Sequence, residues 1–265
     1  MNIYDCVMYF DEDLNLDLRF NILDQYVDKF VVVEATRNHA GIKKKLSFNI
    51  DKFAKFKKKI IYLIVDDIPE KVESYKKGWS PNFFRENFNR NAISRALTEC
   101  SPNDLILISD ADEIPNLELL KTTKIKRFAI FRQKSFVYKL NLLYVDNWLG
   151  SSICYKKYLK SPQWLRNKRF LRRGFLRKIF FKTQIIENGG WHFSFLKTPK
   201  DIEKKLKAYA HGEYKDLGNI NSIKKDIELK RFFIDPEKNL KKILINETYP
   251  PYIIENKDLY SEWIS

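Results

Sequence analysis

The sequence predicts an α/β fold built on a mostly parallel sheet, and three observations carry that expectation. Four apolar runs, rich in β-branched residues, are spaced along the first 110 residues. They are continuous rather than alternating, which marks strands covered on both faces. Stretches of helical periodicity separate them, as right-handed crossovers between parallel strands require.

The elements follow in order. Ile3 to Tyr9 reads as the first strand. Asp11 to Asp13 offers a helix cap, and Leu14, Leu18 and Ile22 then recur at helical spacing. Phe30-Val31-Val32-Val33 and Ile60 to Val65 read as the second and third strands. A helix is expected from about Phe83 to Cys100, with Ile93 and Leu97 on one face and Pro102 ending it. Leu105 to Ile108 makes the next strand. The second half is less regular, with aromatic-rich strands over Phe128 to Tyr144 and helices over Lys200 to Tyr209 and Ser222 to Phe233. There is no repeat or low-complexity linker, so residues 1–265 are expected to form one domain.

Composition excludes several classes. Hydrophobic residues make up 44% of the 265, too many for a disordered chain. No apolar run approaches the roughly 20 residues of a membrane-spanning helix. Residues 1–9 lack the basic flank of a signal peptide. Cys6, Cys100 and Cys154 are scattered, without metal-finger spacing. That pattern suits a reduced, cytoplasmic protein. Lys and Arg number 49 against 34 Asp and Glu, a net charge of +15. Eleven of the cations fall in residues 155–182, which contain no acid and are interleaved with aromatics. Three readings fit this segment: a solvated basic face, a site for anionic lipid or glycan, or a nucleic-acid surface.

The chemistry is expected at the strand ends, where open α/β sheets bind ligands. The strand at 105–108 leads into Ser109-Asp110-Ala111-Asp112-Glu113-Ile114-Pro115. Residues i and i+2 of an extended chain share a side, so Asp110 and Asp112 make a hard-oxygen site for Mg²⁺ or Mn²⁺, or else a turn-capping pair before Pro115. Glu34 follows the second strand, as an acceptor for a ribose or uracil or as a surface residue. Arg90 can reach a diphosphate or pair internally with Glu86. His192 sits in Asn188-Gly189-Gly190-Trp191-His192-Phe193-Ser194, where the glycines permit positive φ or close approach beside a ligand and the imidazole can complete a metal shell. His211 precedes Gly212, a natural helix end, and His39 has no distinguishing context.

Several segments together resemble glycosyltransferase family 17. They are Tyr4 to Phe10, Val27 to Thr36, Gly41 to Lys44, Arg90-Asn91, Ser109 to Pro115, Gly190 to Ser194 and Ala210 to Glu213, in the family's order. The resemblance implies a GT-A type fold, a UDP-N-acetylglucosamine donor, a glycan acceptor, a Mn²⁺ or Mg²⁺ ion and inversion at the anomeric carbon. Residues 1–120 would form the nucleotide-sugar half, 121–214 the acceptor half and 215–265 a helical extension. Asp110 and Asp112 resemble the metal and donor motif, with His192 joining the metal. Glu34, Lys44, Arg90, Asn91 and Asp110 would contact the donor, and Trp148 and Trp191 either stack on acceptor sugars or pack in the core. The catalytic base is sought among Glu213, Glu113, Asp146 and Glu187, Glu213 first because its segment matches the family.

The basic segment departs from the animal members, so their acceptor is not carried over. A cytoplasmic enzyme docking on the inner membrane face through 155–182 would meet a lipid-linked or lipopolysaccharide-type acceptor. Nucleic acid is not an expected partner. A basic nucleic-acid-binding or nuclease-like α/β protein, and a non-catalytic glycan- or membrane-binding relative, are the alternatives.

Overall fold

The computed structural model describes residues 1–70, 80–170, 183–208 and 219–265. The chain opens with β1 (Ile3–Tyr9), α1 (Asp13–Leu23), β2 (Lys29–Ala35), β3 (Ile60–Val65), α2 (Pro81–Ala92) and β4 (Leu105–Asp110). The short β5 (Glu113–Pro115) follows β4 after two residues, then β6 (Phe128–Val137) and the long β7 (Leu142–Tyr155). Next come α3 (Pro162–Arg166), β8 (Gln184–Ile186), β9 (Gly190–Ser194), α4 (Pro199–Ala208) and α5 (Ile220–Glu228). A hairpin of β10 (Arg231–Phe232) and β11 (Asp235–Asn239), then β12 (Lys241–Lys242) and α6 (Pro251–Glu255), complete the elements used below.

The fold is α/β, but the sheet is mixed rather than mostly parallel. Its strand order is β3-β2-β1-β4-β7-β6-β9-β5. β3, β2, β1 and β4 run parallel, as expected. β7 then runs antiparallel to both β4 and β6. Only residues 138–141 join β6 to β7, and a link that short returns the chain alongside itself. β5 pairs antiparallel with β9 at the far end of the order although it follows β4 directly, so the sheet curls.

The parallel strands are covered on both sides, as their unbroken apolar runs imply. Val7, Phe30, Val32, Leu105 and Leu107 join one core with α1. Cys6, Val31, Val33, Ile106 and Ile108 join a second, beneath Ala92, Ile93 and Leu97. Adjacent strand residues alternate between the two cores because successive side chains point to opposite faces.

Element ends differ from expectation for local reasons. Glu12 at the start of α1 makes no side-chain cap; it turns back to accept the Phe10 and Asp11 N–H groups. α2 starts earlier, where Ser80 caps the Phe83 N–H and Pro81 takes a first-turn position, and tightens into a 3₁₀ turn over Ile93–Leu97. α5 stops at Glu228 because Lys230 adopts φ +52° and the chain enters the β10–β11 hairpin. Tyr249, Ile253 and Tyr260 insert into the first core. The Tyr260 hydroxyl donates to Asp17 of α1 at 2.7 Å, and the Ser265 N–H donates to Asn141 at 2.8 Å. No helix among the described residues is long and apolar enough to cross a membrane.

Candidate active site

The carboxyl ends of β1, β2 and β4 open into a cavity of about 390 Å³. Asp110 ends β4, and Asp112 follows where the chain turns into β5. Both line the cavity, with Glu12, His39, Asn89, Arg90, Trp148, Arg169 and His192.

Asp110 is held by arginines. Arg90 donates to its Oδ1 at 3.0 Å and to Glu86 at 2.7 Å. Arg166 pairs with its other oxygen and donates to Glu113 Oε1 at 2.6 Å. Burial opposes the Asp110 charge, but Arg166, Arg90 and Arg169 outweigh it and hold the carboxyl far below its ordinary range. Burial and neighbouring Arg166 push the Arg169 guanidinium down to about 10, so it stays charged at neutral pH.

Asp112 has a different neighbourhood. Its Oδ1 lies 3.6 Å from His192 Nε2, and Lys205 of α4 approaches its Oδ2 at 3.9 Å. Pairing of β5 with β9 sets this geometry by placing Glu113 opposite His192. Ser135 on β6 shares a 3.0 Å hydrogen bond with His192 Nδ1, so Nε2 is the nitrogen turned toward Asp112. Trp148 stacks on the imidazole, centroids 4.5 Å apart and planes 19° from parallel. Burial raises the Asp112 pKa, but His192 and then Lys205 bring it below the ordinary value. Both aspartates are therefore ionised at neutral pH.

Asp110, Asp112 and His192 do not form a three-ligand metal cage, because Asp110 is committed to guanidiniums. Among the described residues no three His, Cys, Asp or Glu side chains converge on a point. Asp112 and His192 remain as adjacent donors. The carboxylate oxygen suits Mn²⁺ or Mg²⁺, ions that need few protein ligands when phosphates and water fill the other positions, and the imidazole nitrogen, a softer donor, fits Mn²⁺ better than Mg²⁺.

Five other expected site residues lie elsewhere or are already engaged. Glu34 is fully buried and does not line the cavity. It receives Lys44, the Ser47 and Phe48 N–H groups and the Tyr62 hydroxyl, so it locks the loop after β2 instead of meeting a ribose. Lys44 borders the cavity, but its ammonium pairs with Glu34. Asn91 turns away on α2 and accepts the Gln163 N–H at 3.0 Å. Trp191 is a core residue whose indole donates to the Thr248 carbonyl. Glu113 is fully buried, receiving Arg166, the Trp148 indole and the Asp110 N–H, which leaves no room for an acceptor hydroxyl.

Arg90 lines the cavity and also makes the internal pair with Glu86. Trp148 faces the cavity. Asp146 is exposed outside the lining, and Glu187 pairs with Arg132 at 3.3 Å. Glu213 and His211 lie outside the described residues. The glycines of the His192 segment approach backbone rather than a ligand. A Cβ on Gly190, at φ +125°, would sit 2.2 Å from the Ile114 carbonyl, and one on Gly189 2.7 Å from that of Ile186.

Sequence reasoning missed Asn89, His39 and the inward arginines. Asn89 is 4% exposed, and its Oδ1 has no hydrogen-bond partner among the described residues. Burial lowers the His39 imidazole pKa. Arg85 of α2 donates to the His39 and Glu70 carbonyls and so ties this loop to the helix. The position of Arg37 to His39 just past a parallel strand was the available signal. Within the basic segment, Arg166 and Arg169 turn into the site while Lys168 covers Trp164 at 4.2 Å. Residues 171–182 lie outside the described residues.

A model of glycosyltransferase family 17 matches residues 1–230. The chain belongs to glycosyltransferase family 17. Among curated relatives, the beta-1,4-mannosyl-glycoprotein 4-beta-N-acetylglucosaminyltransferases of Rattus norvegicus and Homo sapiens are each 25% identical to it, over 279 and 284 residues. The Mus musculus protein of that name is likewise 25% identical. These alignments cover 92% of this chain and 51% of each relative, so the chain spans about half the length of the curated relatives it matches.

Proposed function

We propose that this family member is a metal-dependent, inverting glycosyltransferase of GT-A type. It moves N-acetylglucosamine from UDP-N-acetylglucosamine to a hydroxyl of a glycan acceptor. The observation that carries the reading is the ionised Asp112 beside His192, just past the carboxyl end of β4 and lining the cavity there.

Asp112 and His192 would hold the Mn²⁺ or Mg²⁺ ion. When bound, such an ion stabilises the charge that develops on the leaving diphosphate. Ser135 and Trp148 fix the imidazole in place for that task. Arg169 lends positive charge to the same wall, and Asp110, neutralised by Arg90 and Arg166, adds little repulsion toward a phosphate. The orphan Oδ1 of Asn89 would accept an N–H or O–H of the nucleotide. Trp148 offers its face to a sugar ring. The acceptor hydroxyl attacks opposite the diphosphate while a carboxylate takes its proton. Glu213 is assigned that role because it lies within the stretch the family model matches. The acceptor is assigned as a lipid-linked or lipopolysaccharide-type glycan, reached from the cytoplasm by a peripheral contact of 155–182 with anionic membrane.

A UDP-sugar panel tests this by thermal shift with Mn²⁺, Mg²⁺ or EDTA, alongside UDP release. The expected result is a metal-dependent rise in melting temperature, largest with UDP-N-acetylglucosamine. A folded protein indifferent to every UDP-sugar would overturn the donor and metal assignments.

A further inference from the structure

Glu12, Lys205 and Asp112 all line the cavity and alternate in charge. Glu12 lies in the turn after β1, Lys205 on α4 and Asp112 in the turn after β4. The Lys205 ammonium is 3.3 Å from Glu12 Oε1 and 3.9 Å from Asp112 Oδ2. All three side chains are largely buried, with 8% of Glu12, 12% of Asp112 and 15% of Lys205 exposed.

The chain fixes where this ammonium stands. Lys197, just before α4, donates to the Asp11 carboxylate at 2.6 Å and to the Asp11 carbonyl at 2.7 Å. That contact ties the start of the helix to the turn after β1. About two helical turns later, Lys205 returns to Glu12, the next residue of the same turn. Glu12 is itself anchored, because its Oε2 accepts the Phe10 and Asp11 N–H groups.

The two contacts of the ammonium differ in kind. Glu12 is a close partner. Asp112 is too distant for a hydrogen bond, so Lys205 balances its charge without taking up its lone pairs. A divalent ion on Asp112 and His192 would therefore meet a like charge already beside the same carboxylate. In a largely buried place that repulsion is weakly screened. An anion reaching both cations removes the conflict, and a nucleoside diphosphate carries enough negative charge to do so. The flexible stem of lysine lets the ammonium leave Asp112 for a phosphate oxygen.

We propose that Lys205 couples the divalent ion to the diphosphate: its ammonium opposes the ion on Asp112 until the nucleotide arrives, and then donates to a phosphate oxygen. The proposal rests on the metal and donor reading above and adds the residue that makes the two bind together.

Lys205→Met keeps the hydrocarbon stem over the Phe195 ring and removes the charge. Lys205→Arg keeps the charge. Mn²⁺ affinity in the absence of nucleotide is read by electron paramagnetic resonance of the free ion. UDP affinity at saturating Mn²⁺ and in EDTA is read by calorimetry, and melting temperatures confirm that each variant is folded. Lys205→Met should bind Mn²⁺ alone at least about tenfold tighter than wild type, and UDP with Mn²⁺ at least about tenfold more weakly. Lys205→Arg should keep the wild-type pattern. A purely structural lysine would move both affinities in the same direction, so the opposite signs isolate the coupling. An unchanged Mn²⁺ or UDP affinity in Lys205→Met, or a fall in both, overturns the proposal. Wild type that takes up no Mn²⁺ and binds UDP equally with Mn²⁺ and EDTA sinks the metal assignment, and the proposal with it.

Discussion

Arg166 reaches Asp110 across 56 residues of sequence and pairs with the carboxylate that ends β4. The same guanidinium nitrogen serves Glu113, whose side chain is wholly buried. One cation thus supports both the strand end and the start of β5. Arg166→Ala should lower stability by about 3–5 kcal/mol, because it leaves two carboxylates without their main partner. Urea unfolding checks this, and a loss below about 1 kcal/mol would show that Arg169 substitutes for it.

Asp112 is the carboxylate of the motif that arginines leave alone. Asp112→Asn keeps its volume and removes its charge. Transfer should fall by about 100-fold or more while the melting temperature stays within a few degrees. UDP release is the readout, and wild-type turnover would remove Asp112 from the reaction.

These two residues also mark how far the sequence could be read. Asp110 and Asp112 stood out because an unbroken apolar run delivers them at a strand end, a local pattern. Nothing local announces Arg166, whose partners depend on how α3 packs against β4 and β7. Glu113 and Glu34 looked like functional acids for the same reason: their burial and the donors that engage them, Arg166, Trp148 and the Asp110 N–H for one and Lys44, Ser47, Phe48 and Tyr62 for the other, are tertiary facts, invisible in a string of residues. The parallel half was legible through runs such as Val31-Val32-Val33. The antiparallel half was not, since β7 is part-exposed from residue 143 to 149 and buried from 150 to 154, neither an alternating nor an unbroken apolar pattern, and its hairpin turn carries no Asn-Gly signature.

Glu34 makes stability depend on acid. Burial raises its pKa, but hydrogen bonds from Lys44, Ser47, Phe48 and Tyr62 outweigh that and leave it below the ordinary value. A carboxyl depressed on folding contributes stability above its unfolded pKa of about 4.3, and that contribution disappears as pH falls through the lower folded value. Glu34→Gln should therefore melt well below wild type at pH 6, with the gap narrowing below about pH 4. A gap that is constant with pH would contradict the charged hydrogen-bond network.

Gly190 pins the strand pair that carries His192. Its positive φ and the nearby Ile114 carbonyl both exclude a side chain. Gly190→Ala should cost more than about 2 kcal/mol and speed amide exchange along β5. Unchanged stability and exchange would mean the β5–β9 ladder tolerates a shift there.

The contact of Tyr260 with Asp17, and of Ser265 with Asn141, bears on how the protein is made. α1 packs against residues translated more than 240 positions after it. Until they emerge, the apolar floor under α1 lacks Tyr249, Ile253 and Tyr260 and stays open to solvent. Long-range closure of this kind slows folding and lengthens the exposure of half-built cores. Nascent chains of this protein should therefore depend on chaperone cover until residues 249–260 have emerged.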